Sequence, residues 1–377
     1  MSVTDVTRTD LQPVLDAARE NALDVDRSGR FPREAVAALR SSGLLGLTAP
    51  TELGGMGGGP GDFIETVSAL AGACGSTAMV YLMHVVAMMP VLVATPEGLP
   101  DLPRQLATGE KFASLALSEK GSRSHFWAPV SRQARQNGSV RLEADKSWVT
   151  SAGEADVIVA SCLVSEAGSA DSDLFVVPTA TAGVTVAGPW TGMGLRGNAS
   201  SPIALDTTIP YDYRLGKPGE GFRLMMEVIL PWFNIGNAAV SLGLAQAACD
   251  AAVQHCTGAR LEHLDQALAD LPTVRAQLAR MHILLDTQRT YLRAVAASVA
   301  APDDTTPLRV LASKAAANEA ALTITDIAMR VCGGAAFSQH LAVDRYFRDA
   351  RAGFVMAPTA DALYDFYGKA ITGRPLF

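Results

Sequence analysis

Histidine is the side chain best suited to moving protons near neutral pH, so His84 and His125 are the first residues to weigh. His84 lies in the apolar run MVYLMHVVAMM, where a satisfied core histidine is expected. His125 lies in SEKGSRSHFW, on a loop, and reads either as a proton-transfer group or as a surface or packing residue. Neither has partners at metal-ligand spacing, and no His/Cys/Asp/Glu cluster suggests a bound metal. The glycine run GGMGGGPG (Gly54 to Gly61) has the composition of a phosphate cradle. A cradle needs a strand before it and a helix after it, and TAPTEL is a poor strand, so a flexible connection is expected. Trp148, Val149 and Thr150 taken alone are a strand with a packed aromatic. Gly333-Gly334 closes a helical run and taken alone is its C-terminal stop.

The elements that must carry these residues fall into three textures. Residues 1–110 read as helical, with apolar residues near helical spacing in Asp10–Leu23 and Pro32–Leu45. Residues 111–215 hold short β-prone runs (VRLEA, DVIVASCLV, DLFVVP, GVTVAG), with Asn137-Gly138 as a hairpin turn. Residues 216–377 return to the helical period over Ala238–Cys256, Thr273–Ala300, Leu308–Cys332 and Thr359–Ile371. The expected class is therefore α+β: an N-terminal helical domain, a middle β-barrel or sandwich and a C-terminal helical bundle.

Bulk properties narrow the function. A net charge of -7 and the absence of Lys/Arg runs argue against a nucleic-acid surface. Thr77 to Ala94 is apolar enough to consider as a membrane span but is short for one, and a buried core helix is expected. The five cysteines form no C-x-x-C pair, and their odd number suits a reducing compartment. The first residues lack a signal-peptide core. These features predict a cytoplasmic protein that binds no membrane.

Four segments then carry a resemblance. LALSEKGSRSH (Leu115 to His125), KSWVTSAGEAD (Lys146 to Asp156), MGLRGNASSPIALDTTIP (Met193 to Pro210) and RVCGGAAFSQHLAVDRYFRDAR (Arg330 to Arg351) occur in this order. Together they resemble the acyl-CoA dehydrogenase superfamily over nearly the whole chain. The resemblance implies FAD. It places Leu117 (through its backbone) and Ser118 at the pyrimidine edge of the flavin and Ser124 toward the pyrophosphate or the acyl carrier arm. Trp148 would cover one ring face and Thr150 would bond near N5. Gly333 and Gly334 would approach the FAD of a neighbouring subunit, in a homo-oligomer that is a tetramer in the family. Thr359 and Asp361 match flavin-side positions, and are equally ordinary capping residues at a helix start.

The chain also departs from the family. The glutamate that removes the α-proton usually stands in E-G-T before the last helix; here the segment is Ala357-Pro358-Thr359. The alternative site of that base, on the first helix of the bundle, matches Phe233 and Asn234, neither of which accepts a proton at neutral pH. Arg260 and His263-Leu264 only loosely match the R-x-Q-F-G that holds a neighbour's FAD. His125 replaces the family's Asp. The resemblance implies α,β-oxidation of an acyl thioester, on CoA or on a carrier protein, with His125, Asp361 or the substrate itself as the base and a separate electron acceptor. Two alternatives stay open: a flavin-dependent monooxygenase of the same fold, fed by a flavin reductase, and a non-redox flavin lyase or desulfinase.

Overall fold

The structure, a computed structural model, describes residues 3–122 and 125–375. Five helices come first: α1 (Val3–Ser28), α2 (Arg33–Ser41), α3 (Pro60–Ala73), α4 (Gly75–Val93) and α5 (Leu102–Ala107). The helix read in FPREAVAALRSSG stops at Ser41 with Gly43 just past its end, where Gly43 takes a left-handed φ of 74° and starts a separate 3-10 turn, Leu44–Gly46. The glycine run is entered from a 3-10 turn, Thr51–Leu53, and passes into α3.

Seven strands follow: β1 (Ala113–Ala116), β2 (Ala134–Gln136), β3 (Ser139–Val149), β4 (Val157–Leu163), β5 (Ser172–Pro178), β6 (Val184–Val186) and β7 (Ser201–Pro210). They form two sheets, β1-β4-β5 and β2-β3-β7-β6. Val140, Ile158, Phe175, Val177, Ile203 and Ile209 fill the space between them. The other face of the three-stranded sheet, including Leu115, Val157, Val159 and Leu174, packs on the helices. Burial on both faces is why β1, β4 and β5 read as continuous apolar runs, whereas β7, with one face outward, alternates. Asn137 and Gly138 both take positive φ and join β2 to β3, as their types require.

The chain then returns to helices: α6 (Gly221–Leu224), a π turn (Met225–Ile229), α7 (Leu230–Gly258), a small ribbon of β8 (Arg260–Leu261) and β9 (Gln266–Ala267), α8 (Pro272–Ala300), α9 (Thr306–Cys332), α10 (Gly334–Phe337), α11 (Val343–Val355) and α12 (Ala360–Ile371). The helix expected from Ala238 starts earlier, because α7 continues a helical run from Gly221 in which Pro231, with no N–H to donate, lies just past the π turn. The π turn just before it widens the backbone next to that proline. By length and composition α4 and the run Gly221–Gly258 could each cross a membrane, but both are mostly buried inside the protein.

Candidate active site

A cavity of about 1000 Å³ opens between the β-domain and the helices. One wall is built by the end of β1 and the loop after it, by the end of β3 and by the Trp190–Gly194 loop. The other wall comes from α4, the π turn and α7, and the α11–α12 turn.

The β wall takes its shape from one bulge. Lys146 faces Ile203 while Val149 faces Ser201, so β3 carries an extra residue against β7. Trp148 sits in that bulge at φ 57°, a conformation an aromatic rarely adopts. The bulge turns its indole outward, 67% exposed, with only an edge-to-face contact to Trp190 at 5.9 Å. Trp190 is held in turn by its Nε1–H, which donates to the Leu195 carbonyl at 2.9 Å. Two residues beyond Trp148, the buried Thr150 Oγ1 lies 2.9 Å from Ser200 Oγ. That pair has two hydroxyl protons and spends one between its oxygens, leaving one to donate to a ligand. The Ser114 hydroxyl donates to the Thr150 carbonyl at 2.6 Å, tying β3 to β1.

Behind this wall lies a buried ion pair, Glu119 with Lys146. The carboxylate also accepts from Val130 N (3.0 Å), Ser131 N (2.7 Å) and Ser131 Oγ (2.6 Å). Burial alone would raise the Glu119 pKa; Lys146 and Ser131 together reverse that and hold it below the usual carboxylate range. The Lys146 ammonium also donates to the Ser161 carbonyl, so the pair pins the Leu117–Glu119 segment to β3 and β4.

The helical wall presents Met79, Met83, Ile229 and Phe233, and then Ala357 and Thr359 beyond α11. α11 is locked to the β-domain at Asp349, whose Oδ1 accepts from Leu195 N at 2.6 Å. Burial raises the Asp349 pKa to about 6. Gly194 approaches so closely that a Cβ there would lie 2.5 Å from the Arg348 carbonyl. Arg348 clamps Asp26 of α1 with both terminal nitrogens, at 2.8 and 2.6 Å, and donates to Asp344 at 3.0 Å.

Seven residues singled out from the sequence meet at this cavity: Leu117, Ser118, Trp148, Thr150, Phe233, Ala357 and Thr359. Thr359 also caps α12, accepting from Ala362 N at 3.4 Å. His125 and Asp361 are exposed and do not line it. The His125 ring packs edge-on to Trp127 at 5.2 Å. Gly333 and Gly334 are exposed on the turn between α9 and α10, away from the lining. Arg260, His263 and Leu264 are exposed on the ribbon and the turn after it. Ser124 lies outside the described residues. His84 is a core residue: buried, stacked on Phe112 at 4.8 Å and accepting from Ala113 N at 3.1 Å, with its pKa pushed down to about 3 by burial. Among the described lining residues the one carboxylate is Glu119, already holding four donors. Of the alternative base positions, Phe233 lines the cavity and Asn234 is buried behind it. Trp190, Met79 and Met83 carried no sequence signal, since a loop tryptophan and helix methionines are ordinary packing residues. Lys314, described below, did carry one: a lysine within LASKAAANEAA, where its neighbours are small and apolar.

Sequence models of the acyl-CoA dehydrogenase N-terminal, middle and C-terminal domains match residues 5–109, 114–208 and 219–366. The mitochondrial short-chain specific acyl-CoA dehydrogenase of Bos taurus is 30% identical over 336 residues, covering 88% of this chain and 80% of that protein. Cyclohex-1-ene-1-carbonyl-CoA dehydrogenase of Geobacter metallireducens is 27% identical over 382 residues, 99% of this chain and 98% of that protein. Butyryl-CoA dehydrogenase from Megasphaera elsdenii superposes with a TM-score of 0.92 at 21% identity, over 99% of each chain.

Proposed function

We propose that this chain, which belongs to the acyl-CoA dehydrogenase family, oxidises an acyl thioester between its α and β carbons with FAD as cofactor. The observation that carries this reading is the convergence of Leu117, Ser118, Trp148, Thr150 and Thr359, from three distant segments, on one cavity.

The residues fit a flavin. The cavity is at the upper end of small-molecule sites, room for a tricyclic ring and part of an acyl chain. Trp148 offers an uncovered indole face against which a flat ring can lie. The Thr150–Ser200 pair has its spare hydroxyl proton for a ring heteroatom. FAD, when bound, supplies the acceptor for the hydride that leaves the β carbon. Leu117 and Ser118 would hold the pyrimidine edge, and the Met79, Met83 and Phe233 side chains exclude water from the acyl chain.

The α-proton needs an acceptor, and the residue at the family's position is the methyl group of Ala357. Glu119 is fully engaged, which supports a base from outside the lining residues: His125, Asp361 or a group on the substrate. A homo-oligomer belongs to the same proposal. A Cβ at Gly333 or at Gly334 would meet nothing of its own chain within 4 Å, and Phe337 beside this turn is 83% exposed, which leaves room for a neighbouring subunit's cofactor to approach. A cytoplasmic location is supported by five free, buried cysteines.

Anaerobic titration of the purified FAD-loaded protein with a panel of acyl-CoAs tests the reading: flavin bleaching is expected with at least one of them. Ala357 favours a second reading, a monooxygenase that needs no α-proton acceptor. Oxygen-dependent hydroxylation with reduced flavin, and no bleaching by any acyl-CoA or carrier-bound thioester, would replace the first reading with the second.

A further inference from the structure

Behind Ala357 lies a buried polar network that the chemistry above does not use. Lys314, on α9, is fully buried, and its Nζ donates to the carbonyls of Gly353 (3.0 Å), Met356 (3.0 Å) and Pro358 (2.7 Å). Asn318, one turn along, donates to the same Gly353 carbonyl at 2.8 Å and accepts from Ser241 Oγ of α7 at 2.7 Å. Asn237 of α7 donates to Met356 Sδ at 3.5 Å. Gly353 is the point of closest approach: a Cβ there would stand 2.7 Å from Asn318 Oδ1 and 2.9 Å from Ser241 Oγ.

The physical reason for a cation here is the end of α11. The last carbonyls of a helix have no partner within it and carry the negative end of its dipole. α11 ends at Val355, and Lys314 meets its C-terminal carbonyl and those of the turn beyond from inside the protein. An ammonium has three N–H donors and is surrounded by three acceptors; a neutral amine has only two N–H groups to give.

We propose that Lys314 is a positioning residue: its bonds to three carbonyls fix the 353–358 turn so that residue 357 and Thr359 face the cavity, and because opening to water favours the charged amine, losing a proton holds that turn closed more firmly. The part concerning the cavity rests on the function proposed above; the part concerning the turn stands without it. Burial pulls the amine down to about 7, inside the range where the change would matter. Among the described residues no charged or titratable side chain offsets that burial. The groups facing Nζ are the carbonyls, with Asn318, Ser241 and Asn237 around them. Elsewhere along α9, Glu319 and Asp326 lie five and twelve residues beyond Lys314 and interact with Tyr364 of α12 and Arg351 of α11.

The test is hydrogen exchange of the amides in 353–363, measured on the full-length protein at about pH 6 and about pH 8.5 and corrected for intrinsic rates. The wild type should gain about tenfold protection there at the higher pH, where opening no longer hydrates a charged amine, while β4 and β5 keep theirs. Lys314→Met should be poorly protected in this segment at both pH values. Lys314→Arg, charged throughout, should remove the pH dependence. Unchanged wild-type protection between the two pH values, or a folded Lys314→Met with wild-type protection in the segment, would overturn the proposal. The wild-type measurement decides even if the variants do not fold. Because exchange reads the turn directly, a pH-dependent turn in a protein that no acyl-CoA bleaches would sink the dehydrogenase reading and leave this one standing.

Discussion

The two walls of the cavity are each braced from behind by a buried lysine, and the two lysines are neutralised in opposite ways. Lys146, in the β wall, is paired with Glu119, whose carboxylate gathers two further amides and a hydroxyl. Lys314, in the helical wall, has no carboxylate and spends its charge on three carbonyls. The β wall is thus cross-linked by an ion pair in which burial lowers the Lys146 amine while Glu119 acts against that shift. The helical wall rests on a single titratable cation. It also carries Ala357, at the position where the resemblance places the family's base. On the function proposed above, the β wall is the cofactor face and the helical wall the substrate face.

The largest expected effect would rebuild the helical wall's chemistry. Ala357→Glu should speed flavin reduction by simple acyl-CoAs by about 10²–10⁴, the range of a restored general base, read by anaerobic stopped flow. No gain, with acyl-CoA still bound, would show that the Lys314 turn aims residue 357 away from the α carbon.

Breaking the β wall instead should cost stability. Glu119→Gln leaves the Lys146 charge buried and unpaired, and losing one partner of such a pair typically costs about 3–5 kcal/mol. Denaturant unfolding should register it, with exchange rising first in residues 128–132 and 146–150. A loss below about 1 kcal/mol, the scale of an exposed pair, would mean that Lys146 finds water, and that the two walls are braced alike.

Thr150→Val is a smaller cut in the same wall. It strands Ser200 Oγ in a buried site and should cost about 1–3 kcal/mol, with weaker FAD retention by gel filtration. Full retention would remove Thr150 from the flavin contacts.

The smallest effect is a pH signature in which the walls respond at opposite ends. Glu119 has a folded pKa below its unfolded one, so its contribution is complete above the ordinary carboxylate pKa of about 4.3 and is lost as pH falls through the folded value. Lys314 has a folded pKa of about 7 against 10.5 unfolded. Between those values the folded state binds fewer protons, so Lys314's contribution to stability, of its turn and of the whole protein, rises with pH. Denaturation midpoints against pH should therefore lose their acid-side slope in Glu119→Gln and their alkaline rise in Lys314→Met. Matching curves for both variants would erase the distinction between the walls.

By itself the sequence determined the features that depend on near neighbours along the chain. The helix and strand periods, the Asn137-Gly138 hairpin and the start of α12 at Thr359 follow from local spacing and backbone preference. The alanine at 357 is likewise a covalent fact. The stop of α2 at Gly43 was legible too, whereas the helix of the alanine-rich stretch starts earlier than Ala238, as part of a run from Gly221 through the π turn. Only the tertiary structure decided which way side chains point. The β3 bulge turns Trp148 outward although alternation would not reveal it. His125 and Asp361 lie outside the cavity lining although they sit beside residues that face it. Lys314, distant in sequence from the turn it holds, is a lone lysine until α9, α7 and α11 pack and leave it no water and three carbonyls. A buried polar group must find partners wherever packing puts them, and that choice is made between segments, not within one.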